Sequence, residues 1–507
     1  MVESDLEDSA THPFKLEEWI GKGRKLPISP NDIPQGLAEY FHSLRDIPNE
    51  IMDQHYPKSG LDIETFLEYN APRRTFDLLK SVATDCFRLE EPHTTQDTAF
   101  AGRSLPPLKF VEALNDHFRQ RVLDNMHSII DPAYPDFRLP LWIVRYWMKM
   151  WDIHDKQDRW RKALAWLEDR IHGTASEEEQ ETYREARRLT KTLRWSDETN
   201  IPGAIRNPID IFAHYLSDNT MMNSYHINMM FAHISDRIEN DETIDSLVAV
   251  ETLRFWTEID KAKSAKYFEK ASGSAFIRRL EMRILDEELD FLVFPVRMDS
   301  QTHWLTFKLD FKNCELAYGM KLFSFRLKKV MYTPFQGDSL AHELSAPSDV
   351  IKKLKWWLKG RFKKIFKDLG DSLEHGSQND WTDCGILSAN TAAHEIFEDE
   401  LWTGNTKQFE RGKWFVTLVT KHMKEVSIST DFIDNYLPKS RWTRILVGCH
   451  TYYQSYRPLL VAIPHCRSQN FLIHSKRMAL GQHQTALSRL SLTYRCYPQV
   501  KEIYLHL

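Results

Sequence analysis

No uninterrupted apolar stretch in the 507 residues reaches the eighteen or more that a membrane-spanning helix needs. The first ten residues, Met1 to Ala10, are acidic and lack the basic-then-apolar layout of a secretory signal. There are only six cysteines (Cys86, Cys314, Cys384, Cys449, Cys466 and Cys496), and none stands in a paired spacing. A disulfide scaffold is therefore not expected, and reduced thiols in a nuclear or cytoplasmic, non-secreted protein are. No phosphate-binding glycine loop is present, Gly21 to Lys25 being a basic turn, and neither an internal repeat nor a low-complexity tract occurs. Net charge is −5, against general nucleic-acid binding, and no cofactor is implied.

What is present is the composition of a globular chain, 42% hydrophobic and 27% charged, with fifteen tryptophans for its cores. Its length predicts two or three domains. Residues 1–107 mix short amphipathic pieces with turns. From 108 to about 193 the spacing is helical: Trp147 and Trp151 lie four apart, and Trp160, Leu164, Leu167 and Ile171 continue at helical intervals. A packed core explains this stripe better than a binding surface does. After Trp195 the pattern becomes mixed. Tyr215 to Asp218 is expected to open a helix carrying Met221, Met222, Tyr225, Met229 and Met230. Leu289–Val296 and His303–Leu309 read as strands, the latter with Leu305, Phe307 and Leu309 on one face. Ile351 to Leu369 reads as a basic amphipathic helix whose lysines form a solvated face. The tail, 426–507, holds ten Lys/Arg against three Asp/Glu (10 − 3 = +7). Within it Cys449-His450 and His465-Cys466 match no zinc spacing, so no metal site is expected.

The chemistry concentrates at Asp383-Cys384-Gly385, where a loop turns into a helix rich in small residues. A thiol at a helix N-terminus meets unpaired N–H groups and the positive end of the dipole, both of which favour thiolate. Alone, such a cysteine is more often a small buried hydrophobe. Cysteine proteolysis also needs an imidazole, a group to orient it, and donors for the oxyanion. His303, followed by Trp304 at the start of a predicted strand, supplies the first. Gln378, six residues before Cys384, is placed to offer a side-chain amide to the oxyanion.

These residues resemble the signature of the cysteine proteases that process SUMO, Nedd and related ubiquitin-like modifiers, the Ulp-like family, including its fungal members. The signature is His-Trp on a strand, an Asp on the next, then Gln, five residues and Asp-Cys-Gly. Here it reads His303-Trp304 and Gln378-Asn-Asp-Trp-Thr-Asp383-Cys384-Gly385. Phe294-Pro295-Val296 is similar to the strand before the family's histidine. Tyr215-Leu-Ser-Asp218 with Asn223 is similar to its Trp-Leu-x-Asp helix. The resemblance covers roughly 205–425. It implies an α+β, papain-like domain preceded by mainly helical segments (1–107 and 108–200) and followed by a tail of undefined structure (426–507). It implies hydrolysis after a modifier's C-terminal glycine, with Cys384 as nucleophile, His303 as base and Gln378 at the oxyanion. Trp304, Tyr215 and Asp218 are the implied substrate-binding residues, and SUMO or a related modifier is the implied partner.

The resemblance also marks departures. The family's acid lies seventeen residues after the histidine, and that position is Met320. Removing residues 319 to 336 joins Ala317-Tyr318 to Gly337-Asp338-Ser-Leu and brings Asp338 to the family spacing (35 − 18 = 17). Asp338 is thus the implied acid, with 320–337 an insertion that interrupts the strand leading to it. Asp310 is a poorer candidate, since the same strand cannot fold back onto His303. Tyr215 stands where the family usually has Trp. The rival reading is a degenerate, transposon-associated protease that binds a modifier without cleaving it. The insertion is either a surface loop, which long connections tolerate, or a retained intron. Sequencing the transcript separates them: a loop requires these codons in the mRNA, and their absence removes that reading.

Overall fold

The computed structural model describes residues 14–27, 29–75, 83–93, 102–173, 176–244, 247–264, 266–270, 274–298, 303–319, 347–376, 382–403 and 406–436. The chain divides into two compact units, Met1–Val426 and Ser427–Leu507. The elements below belong to the first, apart from the last turns of α13. The tail beyond 436, with Cys449, His450, His465 and Cys466, lies outside the described residues.

The N-terminal third is helical around a small sheet. Its helices are α1 (Gln35–Ser43), α2 (Asn49–His55), α3 (Ile63–Glu68), α4 (Leu108–Leu123), α5 (Ile143–Ile171) and α6 (Glu177–Thr190). The sheet is antiparallel, formed by β1 (Phe87–Arg88), β2 (Ser128–Ile130) and β3 (Arg138–Pro140). Local chemistry fixes the helix starts. The Asp62 carboxylate accepts from the Thr65 N–H at 2.9 Å, and Ser176 with Glu179 forms a reciprocal capping box on α6. Trp147, Trp151, Trp160 and Trp166 all point inward from α5, as a packed core requires. The helical reading of 108–193 missed β2 and β3, each only three residues long and too short to show a period.

The second half is built on a mixed sheet. Its order is β4 (Val248–Val250), β5 (Phe291–Met298), β6 (His303–Asp310), β7 (Glu315–Gly319) and β8 (Lys367–Asp371). The outer pairs are parallel and the two inner ones antiparallel, with Met298 opposite His303 and Thr306 opposite Gly319. Helices α7 (Ser224–Asn240) and α12 (Cys384–Phe397) cover one face. Helices α8 (Leu253–Lys261), α10 (Ala275–Leu285) and α11 (Ser348–Phe362) pack with the other. Short α9 (Tyr267–Lys270) precedes α10, and α13 (Lys407–Tyr436) follows α12. The alternation of β6 decides which residue goes where. Leu305, Phe307 and Leu309 join the core with α11, while Trp304 joins the core that holds Cys384.

Two boundaries differ from expectation. The basic helix ends at Phe362, not Leu369: Lys363 adopts left-handed φ of 59°, and the buried Phe366 turns the chain into β8. Ile365, within the span expected to be helical, is 83% exposed. Tyr215 ends a 3-10 helix (Ile209–Tyr215), and α7 starts only at Ser224, because the Asn223 side chain caps it. The boundaries expected near 107 and 200 fall inside the first unit, where one core joins Phe66, Trp160 and Tyr183 to Trp304 and Cys384.

That core encloses neutral histidines. Burial pushes His226 down to about 3 and His422 to about 4, from an ordinary 6.5. Between about 4 and 6.5 the unfolded chain therefore binds protons that the folded chain does not, so stability falls as pH falls. Each such histidine removes up to about 1.4 kcal/mol per pH unit. The urea midpoint is expected to drop between pH 7 and pH 5, and His422→Gln to flatten that slope; an unchanged slope in the variant contradicts this.

Candidate active site

Helix α12 opens with Cys384, directly after Asp383 as its N-cap. The helix lies close on the sheet because its inner residues are small: Ser388, Ala389 and Ala392 are all buried. At Gly385 the close approach is to α7 and the turn before it, not to the sheet. A Cβ there would lie 2.7 Å from Ile227 Cδ1 and 2.8 Å from Met222 Cβ.

Two residues on one face of β6, Thr306 and Lys308, bond this helix, and Trp304 on the same face bonds a residue packed against it. The Trp304 indole N–H donates to the Met222 carbonyl at 2.9 Å, and Met222 is the residue against Gly385. The Thr306 hydroxyl donates to the Ser388 carbonyl at 2.6 Å and lies 2.8 Å from its hydroxyl. Lys308 pairs with Glu395 at 2.5 Å. Strand and helix thus run in the same sense. Thr306 is three residues from His303, about 10 Å of strand. Ser388 is one turn from Cys384, about 6 Å of helix. The seam brings the His303 end of β6 to the Cys384 end of α12.

His303 is half-buried as the first residue of β6, and burial lowers its pKa below the ordinary value. An imidazole held neutral in this way is in the protonation state of a base. Cys384 is 3% exposed.

The other sequence candidates separate into those the structure describes and those it does not. Trp304 is 4% exposed, bonded to Met222. Tyr215 is fully buried, its hydroxyl donating to the His226 carbonyl at 3.3 Å. Neither ring presents an open face to solvent in this conformation. Asp218 is held at both carboxylate oxygens, by the Trp166 indole N–H at 2.8 Å and by Arg170 at 2.6 Å, both from α5. Asp310 sits at the far end of β6 and accepts the Asn313 backbone and side-chain N–H groups at 2.7 and 2.9 Å. Asp338 and Gln378 lie outside the described residues.

Sequence reasoning missed a cluster behind the cysteine. Asp383 is fully buried and makes no capping bond to α12. Its carboxylate instead accepts from Arg411 Nε at 2.7 Å and pairs with Lys407 Nζ at 2.9 Å. Arg411, fully buried, also donates to the carbonyls of His214 and Thr220 at 3.0 and 2.7 Å, and Lys407 to that of Asp218 at 2.9 Å. The Thr382 hydroxyl reaches the same Asp218 carbonyl at 3.2 Å. Removing one partner of such a buried pair costs about 3–5 kcal/mol. The only sequence signal was Lys407 and Arg411 at i,i+4, one face of a helix. Among the described residues no group of three or more His, Cys, Asp or Glu could hold a metal ion, and no helix is long and apolar enough to cross a membrane.

No protein-family model matches the chain, and no curated protein matches it. Solved structures similar to it include the SUMO protease Ulp1 with its catalytic cysteine oxidised to a sulfenic acid, at 14% identity and TM-score 0.33, covering 49% of this chain and 96% of that one. The C-terminal Ulp1 protease domain in complex with Smt3, the yeast ortholog of SUMO, has 16% identity and TM-score 0.32, covering 49% and 96%. The Chaetomium thermophilum Ulp1-like SUMO protease catalytic domain has 14% identity and TM-score 0.32, covering 49% and 91%. Likenesses of this size leave the functional reading to rest on the residues themselves.

Gly385→Ala tests the close approach of α12 to α7 and the turn before it. The added methyl must displace Met222 or Ile227, at a cost of about 1–3 kcal/mol. A urea midpoint equal to wild type would contradict the close approach.

Proposed function

We propose that this chain is a cysteine peptidase that hydrolyses the bond following the C-terminal glycine of a ubiquitin-like modifier such as SUMO. The observation that carries the reading is the β6–α12 seam, in which Thr306 and Ser388 bond while Trp304 and Gly385 share Met222. It supports placing a base and a thiol at one end of two rigid elements, where such chemistry needs them. Residues 205–425 are taken as the peptidase part, and the helices before them as its support.

In the proposed reaction the Cys384 thiol passes its proton to His303, and the sulfur attacks the glycine carbonyl carbon. The resulting oxyanion is held by backbone N–H groups at the start of α12 and by the Gln378 amide. His303 returns the proton to the leaving amine as the C–N bond breaks, leaving a thioester. Water, deprotonated by the same imidazole, then releases the glycine carboxylate and regenerates the thiol. Asp338 orients the imidazole. Trp304, Tyr215 and Asp218 shape the path of the glycine tail.

A SUMO or related probe bearing a C-terminal electrophile is expected to label the wild-type protein, and Cys384→Ala to abolish labelling. Folded wild-type protein that stays unlabelled across a panel of modifiers would defeat the proposal. Binding of a modifier without turnover would instead favour the degenerate, binding-only reading.

A further inference from the structure

Helix α11 buries only one of its sides. Val350, Ile351, Leu354, Trp357 and Leu358 pack inward. Lys352, Trp356, Lys359 and Lys363 follow at intervals of four, three and four, which sets them together on another face. Trp356 is 38% exposed there, although tryptophan is usually well covered. It stands between two surface depressions and lines both. One, of about 350 Å³, lies between the chain leaving α8 and the start of α11, with Lys263, Asp349, Lys352 and Lys353 around it. The other, of about 440 Å³, is lined by Lys359, Gly360, Lys363 and the exposed Ile365.

Five ammonium groups and one carboxylate line the pair (5 − 1 = +4). Asp349 lies 3.6 Å from Lys352, a surface contact of little weight. Among the described residues no carboxylate pairs with Lys263, Lys353, Lys359 or Lys363. Lys353 and Lys363 donate to the carbonyls of Ala262 and Gly360, which leaves their charges in place. Gly360 adds a separate sign. A Cβ there would meet open space, so packing does not require glycine, and glycine weakens a helix interior. Its effect is to keep the second depression open.

We propose that this face of α11 binds single-stranded nucleic acid, with phosphates on the lysines and a base stacked on Trp356. The site lies across the sheet from α12 and does not depend on the peptidase reading. The lining chemistry selects the occupant. Its side chains offer ammonium donors and an aromatic ring, but only one carboxylate as acceptor. A phosphodiester backbone has acceptors and no donors, and every base has a face to stack. A peptide would bring backbone N–H groups that find few acceptors here. The net charge of −5 argues against binding over the whole surface, not against a local cationic stripe.

The test is the fluorescence anisotropy of a labelled oligothymidylate of about twelve nucleotides, titrated with the full chain at several salt concentrations. Affinity is expected to fall with salt, by a log–log slope of about −0.7 for each phosphate held. Replacing Lys359 and Lys363 together by Gln should make that slope shallower by about 1.4. Trp356→Ala should weaken binding about tenfold with the slope unchanged, and Trp356→Phe should keep most of it. Gly360→Gln should weaken binding severalfold without lowering the urea midpoint, which keeps the test decisive if Trp356→Ala fails to fold. Affinity unchanged in all of these variants would place any binding elsewhere, in the basic tail for instance, and overturn the proposal. So would no binding at low salt, or a duplex of the same length bound as tightly. Tighter binding of a Glu- and Leu-containing peptide, or of phosphatidylserine vesicles, would also overturn it.

Discussion

Strand β6 and helix α12 meet through consecutive residues of one strand face, and the placing of every described catalytic candidate depends on that seam. Trp304 reaches the Met222 carbonyl, Thr306 the carbonyl and hydroxyl of Ser388, and Lys308 the carboxylate of Glu395. The polar contacts are possible because the backbones lie close, and α12 buries the small residues Ser388, Ala389 and Ala392. Hydrogen bonds made in a site this dry are costly to break, since each would leave a buried polar group unmatched. They fix the helix along its length, and so fix the end on which Cys384 sits.

The helices outside the sheet serve the same end. Helix α13 contributes Arg411 and Lys407 to the buried carboxylate beside the thiol, while α5, from the N-terminal third, supplies Trp166 and Arg170 to Asp218. The N-terminal helices share a core with Cys384 and Trp304. A support of this kind, in which the groups near a reacting atom are themselves held by packed neighbours, gives a site its rigidity.

Much of this arrangement was legible in the residues. Leu305, Phe307 and Leu309 announced the alternation of β6, and the tryptophans of α5 announced a core, because burial on one face imposes a period. Cys384 before a run of small residues announced a tightly packed helix. Other features had no local signal. The helix α11 stops at Phe362 with no glycine at the turn itself, Gly360 lying inside the helix, since Lys363 takes the left-handed turn and Phe366 is drawn into the core with Phe311. The start of α7 was misplaced because three residues of capping logic at Asn223 outweigh the apolar spacing that runs back to Met221. The Asp383–Arg411 pair was invisible, because it joins residues 28 apart whose meeting depends on the tertiary fold. Tyr215 is an implied substrate-binding residue, and its full burial beside His226 is a matter of packing that no spacing reveals.

The central claim is that His303 and Cys384 act on one proton. The direct measurement is the pH profile of Cys384 alkylation in wild type and in His303→Ala. If the pair is coupled, loss of the imidazole moves the profile to that of an ordinary thiol, near pH 8.5 or above. If the two profiles coincide, the thiol does not depend on His303, and the account is wrong.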